Sequence, residues 1–302
     1  MRSSFDSSLS AKTVTILGVA LLALSAAVPV SAQEIAHTQF FPILARTAGA
    51  GGTQWVTDMT VHNHSDNDLV VGVQFLEADK ANVFNPVFPD RFNIGARETI
   101  LIEDVLNALF GFETDIKGGM VVTVDPQLVP GSNNPVGSEI LAITRTYNTG
   151  DPKGTFGQTV PATGKVINAA PTKSVATGVI NSARFRSNLG AMNMTFIDDL
   201  RIKIRILNAA GEEVVPVKEK TLLPASVSQW SLQSLGVPKS DGPLTIELWM
   251  HPDDVLDDPC AVNFPTMFIA YVSKVDGNPD GTGDAEFIYA APNDPYTCQY
   301  EP

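Results

Sequence analysis

The sequence predicts an all-β protein built as antiparallel β-sandwiches in two tandem copies, each with one short helix. Three observations carry this. Apolar residues recur with period two, as in Leu200-Arg201-Ile202-Lys203-Ile204-Arg205-Ile206, the pattern of a strand with one buried and one wet face. Glycine (23) and proline (21) punctuate short runs rich in Val, Ile and Thr, so turns are frequent. The third observation is a set of segments that recur in the same order at nearly constant spacing.

The chain begins with a polar stretch holding Arg2 and Lys12, followed by the uncharged run Thr13 to Val28 and by Val30-Ser31-Ala32. Small residues at both positions that signal peptidase reads make residues 1–32 a secretory signal peptide. The alternative is a membrane anchor, but the run sits near the lower limit for a span of about 20 residues. The mature chain, 33–302, then carries 18 basic and 32 acidic residues. That charge excludes a general nucleic-acid binder, which needs a basic surface, and no later segment is apolar enough for insertion into a membrane.

In the mature chain Trp55-Val56-Thr57-Asp58-Met59-Thr60-Val61-His62-Asn63 resembles Phe185-Arg186-Ser187-Asn188-Leu189-Gly190-Ala191-Met192-Asn193, 130 residues on. Leu69, Val71, Val73 and Phe75 match Leu200, Ile202, Ile204 and Ile206. Val105–Gly111 resembles Trp230–Gly236, Gly119–Thr123 resembles Gly242–Ile246, and Ala142–Tyr147 matches Ala270–Val275. Chance explains one or two such blocks, not five. We therefore expect a first module over 33–164, a second over 165–292, and a C-terminal tail over 293–302. The turn-rich stretch 161–174 is a linker too short for free tumbling. Within a module, Trp55, Thr57, Met59 and Val61 share one face, Asn63–Asp68 forms a turn, and Glu103–Phe110 reads as a short helix stopped by Gly111. Two sheets packed face to face make each copy an immunoglobulin-like sandwich.

The aromatic-(Val/Arg)-(Thr/Ser)-(Asp/Asn) pattern with its following Asn is similar to a recurrent module of secreted bacterial proteins. So are Thr144–Asn148 with Gly154–Gln158 and Val160–Ala162, and Tyr271–Asp276 with Gly281–Asp284. The resemblance spans nearly all of residues 38–292 and implies no activity or catalytic residue. The second copy departs from it in its insert, 252–265, and in its two cysteines.

Those cysteines, Cys260 and Cys298, are expected to pair if the chain is exported to an oxidising compartment, tying the tail to a loop; two buried free thiols are the alternative. Asp276, Asn278, Asp280 and Asp284, with Gly281, imitate the start of a calcium-binding loop. The imitation breaks where a bidentate Glu should stand, since Phe287 is there. The competing reading is a plain hairpin loop. Asp253, Asp254, Asp257 and Asp258 form an acidic cluster, read as a solvated loop or a cation site. His62 and His64 have metal-binding spacing without an evident third ligand. Arg201, Lys203 and Arg205 form a basic stripe, either cover for an exposed face or a dock for an acidic surface. Asn63-His64-Ser65 and Asn193-Met194-Thr195 match glycosylation sites, but their shared place in the repeat makes them structural.

No catalytic signature is present. The expectation is a non-catalytic secreted protein, extracellular or periplasmic. It would act in surface architecture, adhesion or protein–protein interaction, with a protein or surface component as partner and no cofactor. The alternative is a ligand-binding module, for carbohydrate, with calcium ordering its loops. Aromatic residues exposed on a sheet face would favour the alternative, and a flat polar face the first reading.

Overall fold

The computed structural model describes residues 34–49, 52–85, 87–150, 154–163, 168–169, 173–195, 197–254, 267–276 and 284–292, all within the unit Gln33–Pro302. The expected signal peptide, the module boundary at 164/165 and the tail lie outside them. Strand accounts for 59% and helix for 4%, so the all-β class holds. No helix among the described residues is long and apolar enough to cross a membrane.

The first half contributes β1 (Thr38–Ala48), β2 (Gln54–Asn63), β3 (Leu69–Glu77), β4 (Asp90–Ile94), β5 (Thr99–Ile102), α1 (Val105–Phe110), β6 (Ile116–Thr123), β7 (Ile140–Asn148) and β8 (Gly157–Pro161). The second half contributes β9 (Asn168–Ala169), β10 (Ser174–Asn181), β11 (Phe185–Asn193), β12 (Leu200–Leu207), β13 (Glu213–Leu222), β14 (Val227–Ser231), β15 (Ser240–Met250), β16 (Met267–Asp276), β17 (Ala285–Tyr289) and β18 (Ala291–Pro292).

In the second half, β13-β12-β15-β10 faces β14-β11-β16-β17. In the first, β4-β3-β6-β1 faces β5-β2-β7-β8, and β1 also pairs with β2 at Thr47↔Trp55, which fuses the two layers along one edge. Counting β10 as the counterpart of β1, the strand order is the same in both halves. The architecture is that of immunoglobulin-like sandwiches, two packed antiparallel sheets, with eight principal strands per copy in an order of its own.

Register repeats as well as order. Trp55 pairs with Asn148 and Asn63 with Ile140; 130 and 128 residues on, Phe185 pairs with Asp276 and Asn193 with Phe268. One sequence match needs correction. Phe75 faces Met120 while its counterpart Ile206 faces Ile246, so Met120 corresponds to Ile246 and not to Pro243. The glycine that begins each block drew that match three residues out of place.

The expected pair of helices is also corrected. α1 starts at Val105, because Asp104 has left-handed backbone (φ 45°) that a helix cannot include, and ends at Gly111 (φ 69°). In the second copy Leu232–Gly236 is only a turn, closed by Val237 N donating to Leu232 O at 3.0 Å. Eight residues separate Ile102 from Gly111, but four separate Ser231 from Gly236, too few to repay helix nucleation.

Alternation selects each core. Met59, Val61, Val71, Val73, Met120 and Val122 fill the first sandwich. Leu189, Ile202, Ile204, Ile206, Ile246, Leu248 and Val272 fill the second. Each such side chain contributes about 1.5–3 kcal/mol when fully buried. A third apolar cluster joins the halves: Leu76, Phe88 and Val121 meet Met192, Met194, Ala225, Val227, Ile269 and Tyr271. Backbone bonds fix this junction, from Asp79 N to Val227 O (2.8 Å) and from Asn82 N to Pro224 O (3.0 Å). Ser273 Oγ donates to Gln158 Oε1 at 2.8 Å, buried between the halves, and the Tyr289 hydroxyl donates to Pro161 O at 2.6 Å.

Candidate functional site

The calcium-like segment is the connection between β16 and β17. Its ends are described and residues 277–283, including Asn278 and Asp280, are not. Asp276 N donates to Asp284 O at 2.7 Å, which closes a hairpin. The Asp276 carboxylate takes both Arg184 Nε (3.1 Å) and Nη2 (2.9 Å) on Oδ2, while Asp284 is exposed and accepts from Ala285 N. Arg184 thus already supplies positive charge to one candidate ligand, and a cation there would have to share that carboxylate. Cys260 and Cys298 lie outside the described residues.

The basic stripe and the acidic cluster answer each other. Arg201 reaches from β12 to Asp254, with Nη2 at 2.6 Å from Oδ1, and to Asp253 at 3.4 Å. Its backbone N–H also donates to Asp254 Oδ2 at 2.7 Å. Arg205 pairs with Glu213 (3.1 Å) and Glu247 (3.3 Å). Asp257 and Asp258 are not described. The outer face of β13-β12-β15 therefore carries paired charges. Its one aromatic ring, Trp249, lies between Lys173 Nζ (5.0 Å) and Arg205 Cζ (5.4 Å).

Burial of Asp254 raises its pKa, but the side-chain and backbone hydrogen bonds and the charge of Arg201 outweigh this and hold it below the usual range. A depressed carboxyl stabilises the fold above its unfolded pKa of about 3.9, and that stabilisation is lost as pH falls through the folded value. Asp254→Asn should therefore cost about 1 kcal/mol at pH 7, kept small by solvent screening of the guanidinium. Denaturant titration should show the difference from wild type shrinking below about pH 4.

His62 belongs to β2 and bonds Thr99 Oγ1 through Nδ1 (2.9 Å), while His64 lies beyond the strand end with ring centroids 6.2 Å apart. Among the described residues no three His, Cys, Asp or Glu side chains are grouped to hold a metal. The two glycosylation-like asparagines are buried. Asn63 Nδ2 donates to Asn67 O (2.7 Å) and Gly95 O (2.8 Å). Asn193 Nδ2 donates to Asp198 O (2.9 Å), Leu223 O (3.0 Å) and Leu222 O (3.3 Å). Each Oδ1 accepts the N–H two residues on, at 2.8 and 2.7 Å. They lock the same turn in both copies.

Sequence reading missed two clefts. One, about 670 Å³, opens at the end of the first sandwich beside α1. Phe75, Phe110 and Phe112, with centroids 5.2–6.1 Å apart, line it together with the polar Gln74, Asn85 and Asp90. The Phe110-Gly111-Phe112 run beside the helix stop was the available signal. The other cleft lies at the junction of the halves and gathers residues from both, which no local pattern reports.

No known protein family matches the chain, and no curated protein matches it in sequence. Among solved structures, a glycosyl hydrolase family 2 member from Bacteroides cellulosilyticus DSM 14838 aligns with 87% of this chain and 30% of its own, at 10% identity and TM-score 0.16. A second structure of a family 2 member from Bacteroides cellulosilyticus aligns with 84% and 26%, at 10% identity and TM-score 0.17. The chain spans less than a third of either, and a likeness this faint carries no argument about activity.

Proposed function

We propose that the protein is a secreted, non-catalytic two-module scaffold acting in surface architecture, adhesion or protein–protein interaction. The observation that supports this best is the apolar junction of Leu76, Val121, Met192, Val227 and Tyr271, which packs the two halves against each other. Rigidity lets a two-module protein hold loops and strand edges at a fixed separation, and lowers the entropic cost when a partner engages both. The polar outer face of β13-β12-β15 fits the same reading, because it lacks an open aromatic platform for sugar rings. Export follows from residues 1–32, and the modules are assigned to 33–164 and 165–292.

Cross-linking of intact native cells and culture fluid, followed by purification of the protein, tests this. A reproducible surface component cross-linked to loops or edge strands is expected. Recovery as a free monomer overturns the reading.

The aromatic lining of the end cleft favours a second reading, a ligand-binding module for carbohydrate with calcium ordering the 276–284 loop. On that reading calcium raises the melting temperature and Asp280→Ala removes the gain. A melting curve indifferent to calcium and to EDTA contradicts it.

A further inference from the structure

The apolar junction gives way to a polar gap along β11 and β16. Ser187 and Leu189 are buried on the inner side of β11, so alternation sends Arg186 and Asn188 to the opposite face, toward the first sandwich. The facing sheets leave a cleft of about 190 Å³ there, walled by both halves. That is smaller than the roughly 300–1,000 Å³ of drug-sized sites, and suits a ligand of few atoms.

The charge of this wall is opposite to that of the chain. The protein has 33 acidic and 20 basic residues, yet the lining contains Arg186 and Lys117 and no carboxylate. Lys117 Nζ lies 3.4 Å from Asp79 Oδ2. The Arg186 side chain is half-buried and makes no ion pair or hydrogen bond among the described residues, unlike those of Arg184 and Arg201. A guanidinium offers five donors in a planar fork matched to a carboxylate. Beside it, Trp55 ties its Nε1 to Thr53 Oγ1 at 3.0 Å, which leaves the ring itself as apolar surface. The amides of Asn188 and Gln229 add donors and acceptors suited to hydroxyl groups.

We propose that this junction cleft binds a small hydroxylated carboxylate of the sugar-acid class, with its carboxylate on Arg186 and its ring against Trp55. This goes beyond the scaffold reading and does not depend on it. Free sugar acids and the ends of acidic polysaccharides share this chemistry.

Isothermal titration of the whole protein at constant ionic strength tests it, with D-galacturonate, tri-galacturonate, D-galactose and acetate as probes. Saturable binding of galacturonate or its trimer is expected, at least about tenfold tighter than galactose or acetate. The tighter of the two acids tells whether a free acid or a chain end is held. Arg186→Gln is expected to weaken the acid about tenfold while the melting temperature stays close to wild type. Arg184→Gln should leave binding unchanged. The proposal is overturned if neither acid saturates by about 20 mM, if acetate or galactose binds as well, or if folded Arg186→Gln binds like wild type.

Discussion

Tyr271→Ala is expected to lower the unfolding free energy by about 3–5 kcal/mol, the cost of emptying a fully buried aromatic site. Tyr271 is 0% exposed on β16 and points away from the second core, into the contact with the first half. Its ring stacks on Phe287 (centroids 5.2 Å, 21°). It also covers Gly190, where even a methyl group would stand 2.1 Å from Tyr271 Cζ. Loss of the ring therefore opens a void at the junction, and neighbours on two sheets cannot collapse into it independently. Burial pushes its phenol pKa far above the ordinary value, so the hydroxyl stays neutral at any working pH. Tyr271→Phe keeps the stack and removes a buried hydroxyl that has no hydrogen-bond partner among the described residues, so its stability should equal or slightly exceed that of wild type. Chemical denaturation of the three proteins measures both differences. A loss below about 1 kcal/mol for the alanine variant would mean that the junction contributes little.

Asn193→Asp should be as costly at neutral pH, about 3–5 kcal/mol, because it leaves a buried charge without a partner. The native amide gives its N–H groups to three backbone carbonyls at 2.9–3.3 Å. An ionised carboxylate in its place meets three oxygens and donates nothing. The environment therefore raises the pKa of the new acid in the folded state above about 3.9. The sign follows: the deficit is smallest below that value and grows as pH rises through the folded pKa. Asn193→Ala leaves the carbonyls unpaired without a charge and should cost about 2 kcal/mol at every pH. Melting temperatures from pH 4 to 8 separate the two variants. A flat difference between them would show that the site admits water.

The residues that fill the two cores were legible because each strand has one wet face. Leu200, Ile202, Ile204 and Ile206 alternate with Arg201, Lys203 and Arg205, and the structure buries the first set. The repeat was legible because β2 and β11 bury the same alternate positions, from Thr57 and from Ser187 onward, and end in the same asparagine. The junction was harder to read, since its strands are buried on both sides. β16 reads Met267-Phe268-Ile269-Ala270-Tyr271-Val272, a continuous apolar run, and β6 holds Gly118–Val122 in the same style. Continuous runs are the mark of two-sided burial, and these two were the available hint. What each strand meets on its second side depends on residues more than a hundred positions away, as with Val121 and Tyr271. The pairing of Arg201 with Asp254 was hidden for a similar reason. Both were read as exposed charge, and only the return of the chain after β15 brings them together. The clefts are assembled from turns and strand ends of several elements, whose sequence pattern describes each element and not their meeting.

Scanning calorimetry of the whole protein tests the rigid two-sandwich unit most directly. The junction predicts one cooperative transition, with calorimetric and van't Hoff enthalpies equal within error. Two separable transitions, or a calorimetric enthalpy near twice the van't Hoff value, would mean that the halves melt as independent bodies and would contradict the account.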